Sequence, residues 1–211
     1  MKKIMFSDRY DLTKKVLCGQ KTQTRRNVKW DILDDKKEES IEDVIRVKVL
    51  LDEKQVFVGC DAAGNLICQS VPAFHIGEEV AVAQSYNTII QETFDKGGEF
   101  KGSFSIFKSK GLDNKMFVKG DLMLHRIKIT NIRVERLQDI SDEDCMKEGV
   151  MHYDDVFGTG YMIADPYNNN YRRHCYTTPR KAFAGLIDKT CGKGTWDSNP
   201  YVFVYEFELI K

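Results

Sequence analysis

Across residues 1–30 the apolar positions follow first a strand period and then a helical one. Lys3-Ile4-Met5-Phe6 reads as a short strand. Leu12, Val16 and Leu17, at i, i+4 and i+5, mark the buried stripe of a helix over roughly 9–18. Ser7 or Asp8 stands where a side-chain oxygen caps the first turn, and Gly19 where a left-handed residue closes the last. Gln20 to Arg26 follows as a polar, basic turn that runs into extended chain. Residues 31–43 are acidic and loop-like, with a partly helical stretch expected at 38–45. Stretches 46–51 and 55–59 are β-rich, and Asp61-Ala62-Ala63-Gly64-Asn65 is a turn joining Val56–Val58 to Leu66–Gln69 as a hairpin.

Gly77 precedes a strand over 79–83. From about 87 to 119 no period is sustained: glycines recur at 97, 98, 102 and 111 among scattered aromatics and lysines, so the stretch reads as a long loop. Leu124 to Val134 alternates again, with Ile127, Ile129, Ile132 and Val134 interleaved with Arg126, Lys128 and Arg133. It reads as a half-buried strand with a basic outer edge and a bulge near Asn131. Ser141-Asp142-Glu143-Asp144 is a capping signal for a short helix through Glu148 that Gly149 stops. Residues 151–177 form a second irregular stretch. Thr178-Pro179 opens a helix with Ala182, Phe183, Leu186 and Ile187 inward, ended by Gly192 and Gly194, and 201–209 is the final strand. With no internal repeat and no Pro-rich linker, the pattern predicts one α+β domain over 1–211, with loop insertions near 87–120 and 151–177.

Composition narrows the class. The 211 residues, 42% hydrophobic and 11% aromatic, suffice for one good core. No apolar run approaches the ~20 residues that cross a bilayer. The basic N-terminus turns polar at Ser7-Asp8-Arg9, too early for a secretory signal. A cytoplasmic protein with no membrane partner is expected, and the sequence identifies no protein partner. The six cysteines form no C-x-x-C pair and read as reduced, mostly buried small hydrophobes. The four histidines are scattered, and neither metal nor cofactor is expected.

The zero net charge conceals segregation. Residues 1–30 carry nine Lys/Arg against two Asp/Glu and residues 101–137 nine against three, whereas 139–155 carry seven acidic residues and one basic. Such blocks fit a basic face for phosphates, and equally fit solvated surfaces that drift in sign.

Gly19-x-Lys21-x-x-Thr24-x-Arg26 resembles the signature that opens ASCH domains, directly after the first helix. Three further stretches agree in order: Gly77-Glu78-Glu79-Val80-Ala81-Val82 is similar to the family's central strand, Leu137-Gln138-Asp139-Ile140-Ser141 with Glu148-Gly149 to its strand-to-helix segment, and Trp196-Asp197-Ser198-Asn199-Pro200-Tyr201-Val202 to the ending of prophage-type members. Where prophage relatives carry an Arg, a Glu and then a Trp after the central strand, this chain reads Ala83-Gln84-Ser85-Tyr86. The resemblance implies a PUA-like, mostly antiparallel pseudo-barrel with flanking helices, and an association with RNA. One branch of the family, the N4-acetylcytidine amidohydrolases, uses a lysine, a threonine and a glutamate that the motif carries onto Lys21, Thr24 and Glu148.

Two readings of these residues stay open. In the first the protein is an RNA- or nucleotide-binding module, with Gly19, Lys21, Arg25 and Arg26 contacting the nucleic acid and Thr24 and Glu148 serving the turn and the helix end. In the second it is a small amidohydrolase for N4-acetylcytidine, with Thr24 as nucleophile, Lys21 as base and Glu148 holding the lysine or protonating the leaving nitrogen. A ribonuclease role has less support, since no histidine pair or metal cluster is evident. The loop aromatics Phe94, Phe100, Phe104, Phe107, Tyr161, Tyr167 and Tyr171 are available for base stacking or for packing the loops.

Overall fold

The computed structural model describes residues 1–33, 41–50, 55–100, 104–155, 158–164 and 175–210. The first strand, β1, is confined to Lys3–Ile4. The helix expected over 9–18 is two pieces, a single 3₁₀ turn at Asp8–Tyr10 and then α1 at Leu12–Leu17, with Asp11 left-handed (φ 54°) between them. The break has a packing reason. Tyr10, Leu12 and Val16 are all buried, and an unbroken helix does not turn those three positions to one side. Gly19 closes α1 at φ 76°, its amide donating to Val16 O (3.0 Å) while that of Gln20 reaches Lys15 O (2.9 Å). This is the paired 6→1 and 5→2 pattern of a Schellman turn.

The extended segment then starts earlier than the basic turn suggested: β2 is Gln23–Asn27. It is followed by β3 (Asp31–Ile32), β4 (Arg46–Leu50), β5 (Val56–Cys60), β6 (Leu66–Ser70) and β7 (Glu79–Val82). Of the helical stretch expected at 38–45, residues 38–40 lie outside the described ones, and Ile41–Asp43 make one 3₁₀ turn.

The insertion read as a loop from 87 holds a helix instead. This is α2, Tyr86–Asp95, capped by Ser85 Oγ accepting from the Thr88 amide (3.2 Å). Its inward residues, Tyr86 and Ile89, pack with Ala81, Ala83, Val118 and Met123, so the excursion builds an apolar cluster of its own. Next come β8 (Arg126–Arg136) and α3 (Asp142–Lys147), with Ser141 Oγ accepting from the Asp144 amide (3.1 Å). The second irregular stretch contains a hairpin, β9 (Met151–Asp155) with β10 (Gly158–Met162), while its residues 165–174 lie outside the described ones. The chain ends on α4 (Pro179–Cys191), the short α5 (Thr195–Ser198) and β11 (Tyr201–Ile210).

The architecture is α+β. A five-stranded sheet runs β1-β7-β8-β11-β2, antiparallel except for β1 beside β7, and a four-stranded antiparallel sheet runs β3-β6-β5-β4. Neither sheet closes on itself, so the expected pseudo-barrel is not a closed barrel. In β8 the register against β11 slips where Glu206 faces Asn131 and Phe207 faces Ile129. Thr130 is the extra residue, and the bulge lets Ile127, Ile129 and Ile132 all point inward despite their change of phase. The two sheets meet where Phe57 of β5 sets its ring edge-on to Phe203 of β11, 5.4 Å between centroids. On the other side, α4 lays Ala182, Phe183, Leu186 and Ile187 on the main cluster, capped by Thr178 with Pro179 in its first turn. Among the described residues no helix is long and apolar enough to cross a membrane.

Candidate active site

Two glycine-closed turns build the walls of one pocket. α3 ends as α1 does: Gly149 takes φ 100°, its amide donates to Met146 O (2.9 Å), and the Val150 amide reaches Cys145 O (3.2 Å). The first turn delivers Lys21 and the second delivers Glu148. A backbone bond from the Thr22 amide to Lys147 O (3.0 Å) stitches them together. Between them lies a cavity of about 240 Å³, lined by Lys21, Thr24, Arg26 and Glu148, with Phe6 and Phe183 among its apolar walls. Thr24 and Glu148, 124 positions apart in the sequence, therefore share one concave site.

Lys21 is 2% exposed and Glu148 4%. The Lys21 ammonium donates to Glu148 Oε2 at 2.6 Å and to the Glu148 backbone carbonyl at 2.9 Å. Burial drives the Lys21 ammonium below its ordinary range, the Glu148 carboxylate works against that, and Arg26 and Arg25 add to the drop. The other carboxylate oxygen, Oε1, accepts from Arg25 Nη1 at 2.9 Å. Thr24 lies in β2 opposite Tyr205 of β11, which fixes its height in the sheet. Its hydroxyl has no hydrogen-bond partner among the described residues.

Arg25, expected as a nucleic-acid contact, stands in the lining of the pocket with its guanidinium held in the framework. Its side chain is 1% exposed and ties β2 to three acidic groups: Glu148, Glu135 (2.6 Å) and Asp144 (3.3 Å). Gln23 Oε1 takes a further bond at 2.9 Å. Arg133 extends the network to Glu135, Asp144 and Glu206. Burial pushes the Asp144 carboxyl up, and Arg133 and Arg25 more than reverse it, leaving it below its ordinary range. Two cations of the basic block 1–30, Lys21 and Arg25, thus meet two acids of the block 139–155, Asp144 and Glu148, inside the protein.

Arg26 is exposed at the rim, its guanidinium donating to Met5 O. Gly19 is exposed outside the pocket, in a separate groove of about 620 Å³ that also holds Lys15. Lys15 is 4% exposed and donates to Gly149 O at 2.5 Å, and burial brings its ammonium down to about 8. Of the loop aromatics, Phe94 and Phe107 are exposed, Phe100 packs on the second cluster and Tyr161 on the main one. The side chain of Phe104, and Tyr167 and Tyr171, lie outside the described residues. Among the cysteines Cys60, Cys68 and Cys145 are buried, but Cys18, Cys175 and Cys191 are exposed, against the expectation of mostly buried thiols.

The sequence reading missed the apolar wall. Phe183, Leu186 and Cys191 of α4 line the pocket. The inward stripe of α4 was legible, but not that its end would cover Thr24. Fold and site together define an α+β domain with a pocket of about 240 Å³, a buried lysine–glutamate pair and a threonine hydroxyl without a hydrogen-bond partner among the described residues. Comparison with protein-family models, curated proteins and solved structures returned no match.

Proposed function

We propose that the chain is an ASCH-type domain of the PUA-like superfamily acting in the cytoplasm as a small amidohydrolase on N4-acylated cytidine. One observation carries the reading: Lys21, Thr24 and Glu148 line one pocket, with Lys21 Nζ 2.6 Å from the Glu148 carboxylate. The pocket is smaller than the ~300–1,000 Å³ of drug-sized sites, which suits one nucleoside better than a stretch of chain.

In this reading the neutral Lys21 amine takes the Thr24 hydroxyl proton as Oγ1 attacks the acetyl carbonyl carbon. The carbonyl π pair moves to oxygen and returns as the C–N4 bond breaks. The proton on Lys21 passes to N4, so cytidine leaves as a neutral amine and the acetyl group stays as an ester on Thr24. Water then attacks that ester and gives one proton to Lys21, which returns it to Thr24 Oγ1 as acetic acid departs and ionises in solvent. Burial favours the neutral amine this requires. Glu148, with one oxygen on Lys21 and the other on Arg25, holds the base in place.

Arg26, exposed at the rim, favours a second reading, in which the pocket binds a nucleotide and performs no chemistry. The test is N4-acetylcytidine incubated with wild type, Thr24→Ala and Lys21→Arg, with products separated by chromatography. Hydrolysis is expected from wild type alone, with both variants down by ~100-fold or more, because arginine keeps the charge but does not give up its proton. Binding alone makes Lys21→Arg almost silent for ligand affinity. No cleavage by wild type removes this substrate, and equal cleavage by all three removes the mechanism.

A further inference from the structure

A second cavity, of about 450 Å³, opens beside the first, and Arg26 lines both. It follows the outer edge of β2, which is the end strand of its sheet, toward β3 and β6. Asn27 and Lys29 line it beyond Arg26, Ser70 of β6 lines it as well, and the buried Phe203 and Tyr205 form an apolar floor. Ser70 Oγ donates to the Lys29 carbonyl (2.7 Å), which fixes the backbone there and leaves the Lys29 side chain exposed.

The charges in this groove differ from those around the pocket. Lys21, Arg25 and Arg133 are each paired with carboxylates, whereas neither Arg26 nor Lys29 has a carboxylate partner among the described residues. Asp31 also lines the groove, so two cations without a carboxylate partner stand against one acid. A cation at the junction, a second one further along, an amide between them and an aromatic floor match a phosphate linked to a sugar and base.

We propose that this groove receives a phosphate-bearing extension of the nucleoside seated in the first pocket, with Arg26 at the junction and Lys29 beyond it. The preferred ligand is then cytidine carried in a nucleotide or a short RNA, not the free nucleoside. The inference rests on the nucleoside reading of the pocket.

The test is calorimetric titration of cytidine, its 5′- and 3′-monophosphates and the dinucleotide CpC into wild type, Lys29→Glu and Lys48→Glu. Lys48 is exposed on β4, at the opposite edge of the four-stranded sheet, and controls for net charge. At least one phosphate-bearing probe is expected to bind roughly tenfold more tightly than cytidine. Its affinity should fall with salt at a log–log slope of about 0.7 per phosphate engaged. Lys29→Glu should erase that gain and Lys48→Glu should keep it. A gain for a monophosphate identifies a terminal phosphate, and a gain for CpC alone identifies a linked neighbour. Equal affinity for cytidine and every phosphate probe, or a gain that survives Lys29→Glu, overturns the groove while leaving the pocket reading intact. A Lys29-dependent gain for CpC with no binding of cytidine supports the groove and overturns the pocket reading. No binding of any probe overturns both.

Discussion

Replacing Glu148 by glutamine removes the charge that Lys21 and Arg25 share. The side chains of Lys21, Arg25 and Glu148 are 2%, 1% and 5% exposed, so solvent screens little of the loss. At the 2.6 Å separation of Lys21 and Glu148, an effective dielectric near 20 gives an attraction of about 6 kcal/mol. Desolvation of the two ions, at several kcal/mol each, offsets much of it. Once the carboxylate is gone, the Lys21 ammonium falls further below its ordinary range, which limits the damage. Arg25 keeps Glu135 at 2.6 Å and Asp144 at 3.3 Å. The expected loss is about 3 kcal/mol, the lower end of the range for a buried pair that loses one member. Lys21→Met should cost less, about 1–2 kcal/mol, because Glu148 keeps its bond to Arg25 at 2.9 Å. Urea denaturation followed by circular dichroism gives both values if the m-value is unchanged. The reasoning fails if Lys21→Met is the more damaging change. It also fails if both losses stay below about 1 kcal/mol, as for surface pairs.

Two further expectations concern the groove side of the same walls. Lys15 falls from 10.5 to about 8 through burial. Above about pH 8 the folded protein has therefore lost a proton that the unfolded chain holds up to ~10.4. Wild-type stability should accordingly rise with pH across that window relative to Lys15→Met, by up to about 3 kcal/mol. Urea midpoints for the two proteins at roughly pH 7.5, 9 and 10 would refute this by running parallel. Gly149→Ala should destabilise more than Gly19→Ala, although both end a helix with positive φ. A Cβ at 149 meets Lys15 Cδ at 3.2 Å and Leu12 Cδ2 at 3.3 Å, whereas one at 19 meets nothing within 4 Å. Each change carries backbone strain of about 1 kcal/mol, and equal melting temperatures would refute the added packing cost.

The strands and helices with a clean period were legible in the sequence. In β8 the change of phase from Ile127 and Ile129 to Ile132 and Val134 even announced its bulge. α2 was hidden because its buried positions, Tyr86 and Ile89, are few among polar residues, and the apolar partners they cover come from 81–83 and 118–123. The β9–β10 hairpin was hidden because its apolar face is thin, no more than Met151 and Tyr153 against Gly160 and Met162. The pocket was foreshadowed by the spacing of Lys21 and Thr24 and by the glycine after Glu148. Local spacing, however, says nothing of which acids reach Arg25. Glu135 and Asp144 arrive through sheet register and helix docking, and these tie Arg25 into the framework.

The strand that carries Thr24 has consequences for how the protein is made. Thr24 sits in register with Tyr205, roughly 180 residues later, and β2 has no strand neighbour besides β11 among the described residues. At translation rates of about 5–20 residues per second, the interval between synthesis of the two is on the order of 10–40 s. Throughout that interval Lys21 and Thr24 exist without the sheet that fixes their spacing. Such distant pairing is also slow to find once synthesis is complete. The pocket is therefore a late product of folding: a nascent chain stalled before residue 201 holds Lys21 and Thr24 but no β11 to support them.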